Sequence, residues 1–333
     1  MSYGTQSLLD NIRLSNGPEG LKNFYHDLLR RDSKKAFELV NDNNLHFDTL
    51  FLLRSELSKT AASDKLNPLY REALRIAEML VAGEKSHAGR SIRSGRDEIG
   101  PVLRWMVKTG CPERYCGAEL ENYEQLMEIS AALLTKSFRD TSALPEIAEM
   151  IFERNRDGRL IHDLVWAFFE ARNPESLLLI AERLVSPYFA DAALAKRLLC
   201  FIPGLDDEST AGPILYNRVL NWLGENRPFM SYTGENLHLC NLPRHYAVSL
   251  SAKYLRHPVS IDRDIPLPAL NEFERCLAMQ FDKLPEHQQQ CLADFSHTLH
   301  KTNIRQWNAF LQLSADQQAN LALSQTGRRD CYD

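Results

Sequence analysis

The sequence predicts an all-α protein in which helical hairpins stack side by side into an α-α superhelix. Apolar residues recur three and four positions apart along most of the 333-residue chain, which is the spacing that lines one face of a helix. No stretch shows sustained alternation with enrichment in β-branched residues, so no sheet is predicted. The segment 144–201 also resembles itself at a constant offset, which indicates repeated hairpins.

The internal repeat is clearest over its first ten positions. Five of these are identical in the two copies: Pro145, Glu146, Ile151, Glu153 and Arg154 fall on Pro174, Glu175, Ile180, Glu182 and Arg183. Each copy is typical of a helix opened by proline, a short break and a second helix. Proline suits the first position of a helix, because a backbone N–H at that position would have no partner within the helix. The alternative is that two amphipathic hairpins resemble each other by chance.

The paired helices at 145–169 and 174–201 resemble HEAT or armadillo-type α-solenoid repeats. This resemblance implies a row of hairpins that cover each other's apolar faces, and a curved surface that binds another macromolecule. It carries no functional residue over to this chain, because these families share none.

Helices are predicted in order along the rest of the chain from apolar spacing and from capping residues. Ser33 is the expected cap of the second helix, and the pair Asn67-Pro68 is expected to begin the fourth. Before the repeat, the predicted helices cover 18–31, 33–40, 47–59, 68–82, 101–108 and 123–138. After the repeat, they cover 209–224, 243–256, 269–282, 285–300, 303–313 and 314–324.

Two segments interrupt this pattern. Residues 83–100 are rich in glycine, serine and arginine and predict a loop, while residues 257–268 contain three prolines and predict a linker. We therefore expect a helical-repeat array over 1–256 and a C-terminal helical segment over 269–325. That segment is either separate from the array or continuous with it.

Composition and charge are those of an ordinary folded protein. Charged residues make up 25% and hydrophobic residues 44%, and the formal net charge is −5. A nucleic-acid-binding domain normally carries a basic excess, so this charge disfavours nucleic acid as the partner. The seven cysteines are scattered, and neither a signal peptide nor a membrane-spanning run is evident. We expect a cytoplasmic protein with reduced thiols and no membrane contact.

The basic loop supplies the candidate binding residues. They are Lys85, Arg90, Arg93, Arg96 and Arg104. Arginine forks bind phosphate or carboxylate in a bidentate way, so this group predicts contact with an anion or with an acidic patch on a partner. The alternative is a solvated loop between two helices.

Metal and catalytic motifs are weak in this sequence. His26-Asp27 and His162-Asp163 resemble the pairs of HD-type phosphohydrolases, and His238, Cys240 and His245 lie close together in sequence. The HD enzymes need two further metal ligands, and a zinc site needs a fourth ligand. The spacing of residues in this sequence supplies neither. Half-buried histidines and reduced thiols are the alternative, so we predict no catalytic residue, no metal site and no cofactor.

Two functions from different classes follow. The first is a non-catalytic scaffold that binds a protein or peptide on a helical surface, with Trp166, Tyr188, Tyr216 and Trp222 as candidate anchors. For Trp166 and Trp222, core packing is the favoured alternative. The second is a nucleic-acid-binding HEAT-like protein of the DNA glycosylase type, to which the basic loop and Trp105 fit loosely. An HD-type metal phosphohydrolase is the third alternative.

Overall fold

The computed structural model describes residues 6–59, 65–81, 96–110, 119–207 and 210–329. The fold is all-α, as predicted, and within the described residues one two-stranded sheet accompanies the helices. The chain forms two compact units, Met1–Ala171 and Arg172–Asp333. Each unit is treated by itself below, and the predicted boundaries at 256 and 269 stay a prediction.

The first unit is entirely helical in its described residues. Its helices are α1 Leu8–Arg31, α2 Ser33–Val40, α3 Phe47–Lys59, α4 Pro68–Val81, α5 Arg96–Thr109, α6 Leu120–Ala132, α7 Leu144–Arg156 and α8 His162–Glu170, with a π-helical turn Leu133–Ser137 that continues α6. Neighbours in sequence pack on each other, as α3 does on α4, α4 on α5, α5 on α6 and α7 on α8.

Aromatic side chains hold the middle of the first unit together. Phe47 on α3 lies with its ring centroid 5.7 Å from that of Trp105 on α5 and 5.9 Å from that of Tyr123 on α6. Tyr70 on α4 stacks on Trp105 at 4.8 Å. Such pairs stabilise beyond the area they bury, so four helices are joined through one cluster. Trp105 therefore belongs to the packing of this unit.

Helix starts in the first unit follow capping chemistry. Ser7 and Asp10 form a capping box, which extends α1 before the predicted start at Pro18, and the helix continues past a break at Gly17. The cap of α2 was predicted wrongly as Ser33. Asp32 caps it instead, because its carboxylate accepts the backbone N–H of Lys35 at 3.0 Å.

The second unit combines helices with a small sheet. Its elements are 3₁₀ turns at Pro174–Ser176, Glu182–Val185 and Arg227–Phe229, α9 Leu177–Ala181, α10 Phe189–Leu198, α11 Gly212–Asn226, β1 Met230–Tyr232, β2 Tyr246–Val248, α12 Leu250–Leu255, α13 Glu272–Phe281, α14 Glu286–Thr302, α15 Ile304–Phe310 and α16 Ala315–Arg329. Ser314 and Gln317 form a capping box at the start of α16, since each side chain accepts the backbone N–H of the other residue.

The short sheet corrects the prediction that no sheet exists. Strands β1 and β2 pair antiparallel, with Met230 opposite Val248 and Tyr232 opposite Tyr246. The first part of the helix predicted over 243–256 is therefore strand, and α12 begins only at Leu250. Each strand has three residues, which is too short for alternation to be recognised in the sequence.

The core of the second unit lies between α12, α13, α14 and α16. Helix α14 packs on both α12 and α16. The core cluster consists of Tyr254, Leu255, Leu277, Phe281, Leu292, Ala293, Phe310, Leu311 and Ala322. Because α14 carries apolar residues on this side, its opposite polar side is left to face a cleft.

The two sequence-related hairpins are both helical. In the first unit, α7 and α8 pack on each other as a hairpin. In the second unit, the predicted first helix is divided into a 3₁₀ turn, the short α9 and another 3₁₀ turn before α10. Helices packed against their sequence neighbours are compatible with a helical repeat, and kinship with HEAT or armadillo proteins stays a prediction.

Two glycines of α11 should respond in opposite directions to alanine. A Cβ at Gly212 would lie 2.3 Å from the backbone oxygen of Leu184, whereas a Cβ at Gly224 meets nothing within 4 Å. We expect Gly212→Ala to lower the free energy of unfolding by about 1–3 kcal/mol through overpacking. Gly224→Ala should raise it by about 0.5–1 kcal/mol through helix propensity. Urea unfolding of both variants tests this, and shifts of the same sign would contradict the close approach at Gly212.

Candidate functional site

The predicted basic surface lies largely outside the described residues. Lys85, Arg90 and Arg93 fall there, and Arg96 is the first residue of α5. Arg104 is on the exposed side of α5, where its guanidinium Nη2 lies 2.5 Å from Asp140 Oδ2. The contact role of these five residues stays a prediction.

The metal motifs of the sequence do not assemble in the described residues. His26 and Asp27 are exposed on α1, and within the described chain neither HD pair belongs to a group of three or more metal-type ligands. The same holds for His238, Cys240 and His245.

Also among the described residues, no helix combines the length and the apolar character that crossing a membrane requires.

A different cluster of metal-type ligands lies in the first unit. Ligand atoms of Asp10, His46 and Asp48 are within 4.8 Å of one another, and both carboxylates are fully buried. However, a cation already pairs with this cluster. Arg13 places Nη2 2.7 Å from Asp48 Oδ2 and donates from Nε to Thr49 Oγ1 at 2.9 Å.

The remaining contacts of this cluster are those of a structural network. Thr49 Oγ1 donates to Asp10 at 2.5 Å, and the backbone N–H of His46 donates to Asp10 at 3.2 Å. Burial raises the pKa of Asp48 to about 6, although Arg13 opposes this shift. The network therefore fastens the start of α1 to the start of α3.

The second unit contains an open polar cleft of about 770 Å³ between α11, α12 and α14. Its lining residues from α11 are Ile214, Asn217, Arg218, Asn221, Trp222, Glu225 and Asn226; α12 gives Lys253; α14 gives Asp294, His297, Thr298, Lys301 and Thr302. Positions four apart share one face of a helix, so the spacing on α11 and α14 directs two polar stripes into one space.

A buried lysine forms the floor of the cleft. Lys253 is only 3% exposed, yet its Nζ donates to Asn226 Oδ1 at 2.7 Å and to Asp294 Oδ1 at 2.5 Å. Asn226 is itself buried and is fixed by donation from Nδ2 to the backbone oxygen of Trp222 at 2.8 Å. A buried ammonium requires such partners, because burying an unpaired charge is very unfavourable.

A chain of charged and polar groups runs along one side of the cleft. The Arg256 guanidinium contacts His297 Nδ1, and Nε2 of His297 lies 2.6 Å from Glu225 Oε2. Arginine only donates, so Nδ1 is the acceptor and Nε2 carries the proton. Lys301 Nζ lies 2.8 Å from the other oxygen of Glu225.

The protonation states in this chain follow from its surroundings. Burial, reinforced by Arg256, lowers the pKa of His297 to about 4, so the imidazole is neutral near pH 7. The hydrogen bond from Lys301 is the main reason that the pKa of Glu225 is lowered. Lys301 and Glu225 therefore form a partly exposed ion pair at the edge of the cleft.

Several hydrogen-bonding groups of the cleft remain available. Within the described residues, the amides of Asn217 and Asn221 and the indole N–H of Trp222 make no hydrogen bond with the protein. Asn217 and Asn221 are exposed, and Trp222 is half-buried beside Phe201. Trp222 thus lines a surface instead of filling a core. Trp166 is also half-buried, and Nζ of Lys136 lies 4.7 Å from the centroid of its ring.

A second cavity of about 580 Å³ adjoins the first. The two cavities share four lining residues: Trp222, Asn226, Lys253 and Asp294. Because Lys253 and Asp294 belong to both, their ion pair stands between the two spaces. The second cavity also carries Arg244 and Tyr246 from the region of the sheet.

Most of this cleft was missed by reasoning from sequence. One signal was present, since Asn217, Asn221 and Glu225 follow each other at intervals of four on α11. Nothing marked Lys253 as buried, because lysine is normally exposed. Comparisons of the chain with protein-family models, with curated proteins and with solved structures give no match.

Proposed function

We propose that this chain is a non-catalytic binding protein, and that its second unit receives a peptide segment of a partner protein in the α11–α14 cleft. The observation that carries the proposal is the pair of uncommitted amides, Asn217 and Asn221, beside the free indole N–H of Trp222. A carboxamide both donates and accepts, so it matches the N–H and C=O of a peptide backbone. Recognition then depends on shape and hydrogen bonds, with no bond-making step.

The charges of the cleft favour a peptide over a nucleic acid. Arg218, Lys253 and Lys301 face Glu225 and Asp294, and two of these three cations are already paired with carboxylates. Nucleic-acid binding depends on unpaired cations that neutralise phosphates, and the whole chain carries a net charge of −5. A half-buried tryptophan next to paired charges is instead typical of a protein interface.

The helical-repeat character belongs to the same proposal. We propose that the α7–α8 hairpin and its sequence relative at 174–201 are members of a HEAT- or armadillo-like array, supported by their matching order of helix, break and helix. A partner would then contact exposed side chains such as Tyr188, which is 57% exposed.

Selection of peptides from a random displayed library on the full-length chain tests the function. We expect bound sequences to lose at least about fivefold in affinity when Asn217 and Asn221 are both changed to alanine, because two hydrogen bonds contribute about 1–3 kcal/mol. The matched control is Asn320→Ala, an exposed asparagine on α16 outside the cleft, which should leave affinity unchanged. Isothermal titration calorimetry measures all three proteins.

Two outcomes would contradict the proposal. One is that no peptide is enriched over a surface without protein. The other is that enriched peptides bind the double variant and the Asn320→Ala control equally well, which would place their site elsewhere.

A further inference from the structure

The Lys253 ammonium is a buried positive charge that faces a solvent-connected space. Two of its three N–H groups are directed to Asn226 and Asp294, and the residue lines both cavities of the second unit. Among the residues that the structure describes, Asp294 is the carboxylate that pairs with it. The side chain of Lys253 is therefore fixed in place, and its ammonium needs an anionic partner whether or not a ligand is bound.

Asp294 differs from Asn226 in how firmly it is held. Its side chain is 50% exposed, and its second oxygen accepts from Gln290 on the next turn of α14 at 2.8 Å. Asn226 is buried and anchored to its own helix. A half-exposed carboxylate can turn toward water at little cost, whereas the buried ammonium cannot remain unpaired.

A carboxylate brought by a ligand fits the place of Asp294. It would keep one negative charge beside Lys253, so the exchange leaves the charge balance of the buried ammonium unchanged. A phosphate dianion fits less well, because it would place two negative charges beside an ammonium that one carboxylate balances, with Glu225 in the same cleft.

We infer that Lys253 binds a carboxylate group of the ligand and that Asp294 occupies this position in the free protein. The inference rests on the proposed function, in which the ligand is a peptide, and it adds what part of the peptide is recognised. The carboxylate belongs to the C-terminus of the peptide or to an acidic side chain.

A matched pair of small probes tests the inference on the full-length chain. N-benzoylglycine carries an aromatic ring, a peptide group and a carboxylate, whereas N-benzoylglycinamide replaces only the carboxylate by an amide. In isothermal titrations at millimolar concentration, we expect the acid to bind at least tenfold tighter than the amide. Equal binding of the two, or no binding of either, would overturn the inference.

Three variants locate the effect. Asp294→Asn removes the competing charge and should tighten binding of the acid severalfold while leaving the amide unchanged. Lys253→Met should abolish the preference for the acid. Lys301→Met, which removes an exposed cation from the same cleft, should retain it. If Lys253→Met fails to fold, Asp294→Asn still decides, because an unchanged affinity for the acid would overturn the inference.

A third probe separates the two sources of carboxylate. The α-amide of N-benzoylglutamate carries its carboxylate on a side chain, so tighter binding of this probe identifies acidic side chains as the target. Tighter binding of N-benzoylglycine identifies the C-terminus. If selected peptides bind through Asn217 and Asn221 while acid and amide probes are equal, only this inference fails. If the probes differ but no peptide binds, the proposed function fails.

Discussion

Replacing Arg13 with methionine should lower the free energy of unfolding by about 3–5 kcal/mol at pH 7, because removing one partner of a buried ion pair leaves the other charge uncompensated. Arg13 is 2% exposed, and Asp10 and Asp48 beside it are fully buried. Without the guanidinium, two carboxylates share one buried space, and Thr49 loses its hydrogen-bond donor. Urea unfolding measures the change.

The control for this variant lies on the same helix. Arg30→Met removes an exposed arginine from the last turn of α1 and should change the free energy of unfolding by less than about 0.5 kcal/mol. Adding Asp48→Asn to Arg13→Met should restore part of the loss, since it removes one of the stranded charges. Equal stability of the Arg13 and Arg30 variants would show that the network does not hold α1 to α3.

The second large effect is a loss of stability in mild acid that depends on His245. The side chain is fully buried, and its Nδ1 lies 3.1 Å from the Glu235 carbonyl oxygen, to which it donates. Burial lowers the pKa of His245 to about 4. In the unfolded chain a histidine titrates near pH 6.5, so between these values the unfolded state binds the extra proton. The contribution of His245 to the free energy of unfolding is therefore fully present above about pH 6.5. About 3 kcal/mol of it is lost as pH falls toward 4.

A comparison of variants isolates this contribution. Asp48 acts in the opposite direction, because its raised pKa gives stability that is present at low pH and lost as pH rises through about 6. The quantity to compare is therefore the difference in the free energy of unfolding between the wild type and His245→Gln. This difference should shrink by about 3 kcal/mol as the pH is lowered from 6.5 to 4. His287→Gln, an exposed change on α14, is the control and should follow the wild type. A His245→Gln profile parallel to that of the wild type would contradict the assignment.

Helix positions were predictable where local chemistry decides them. Helix α3 spans Phe47–Lys59 as predicted, and Asn67 caps α4 by accepting the N–H of Tyr70 at 2.8 Å. The first half of α1 was missed by the prediction, which began the helix at residue 18, although Ser7 and Asp10 have the spacing of a capping box. Strand β2 was not predictable, since three residues carry no periodic signal and their pairing with β1 is set by tertiary contacts.

The candidate site was less accessible to sequence reasoning than the fold. The polar stripe of α11 is visible as a pattern, but a solvated helix face produces the same pattern. The feature that makes it a site is the meeting of Lys253 with Asp294, which lies 41 residues further along the chain. Only the packing of α12 on α14 brings the two together, and it does so by burying a residue type that is normally exposed.

The most direct test of the central claim is amide hydrogen exchange of the full-length chain with and without a selected peptide. If the peptide lies in the cleft, exchange should slow in Gly212–Asn226 and in Glu286–Thr302, the two helices that form its walls. Unchanged exchange in both helices, with protection confined to other parts of the chain, would contradict the account.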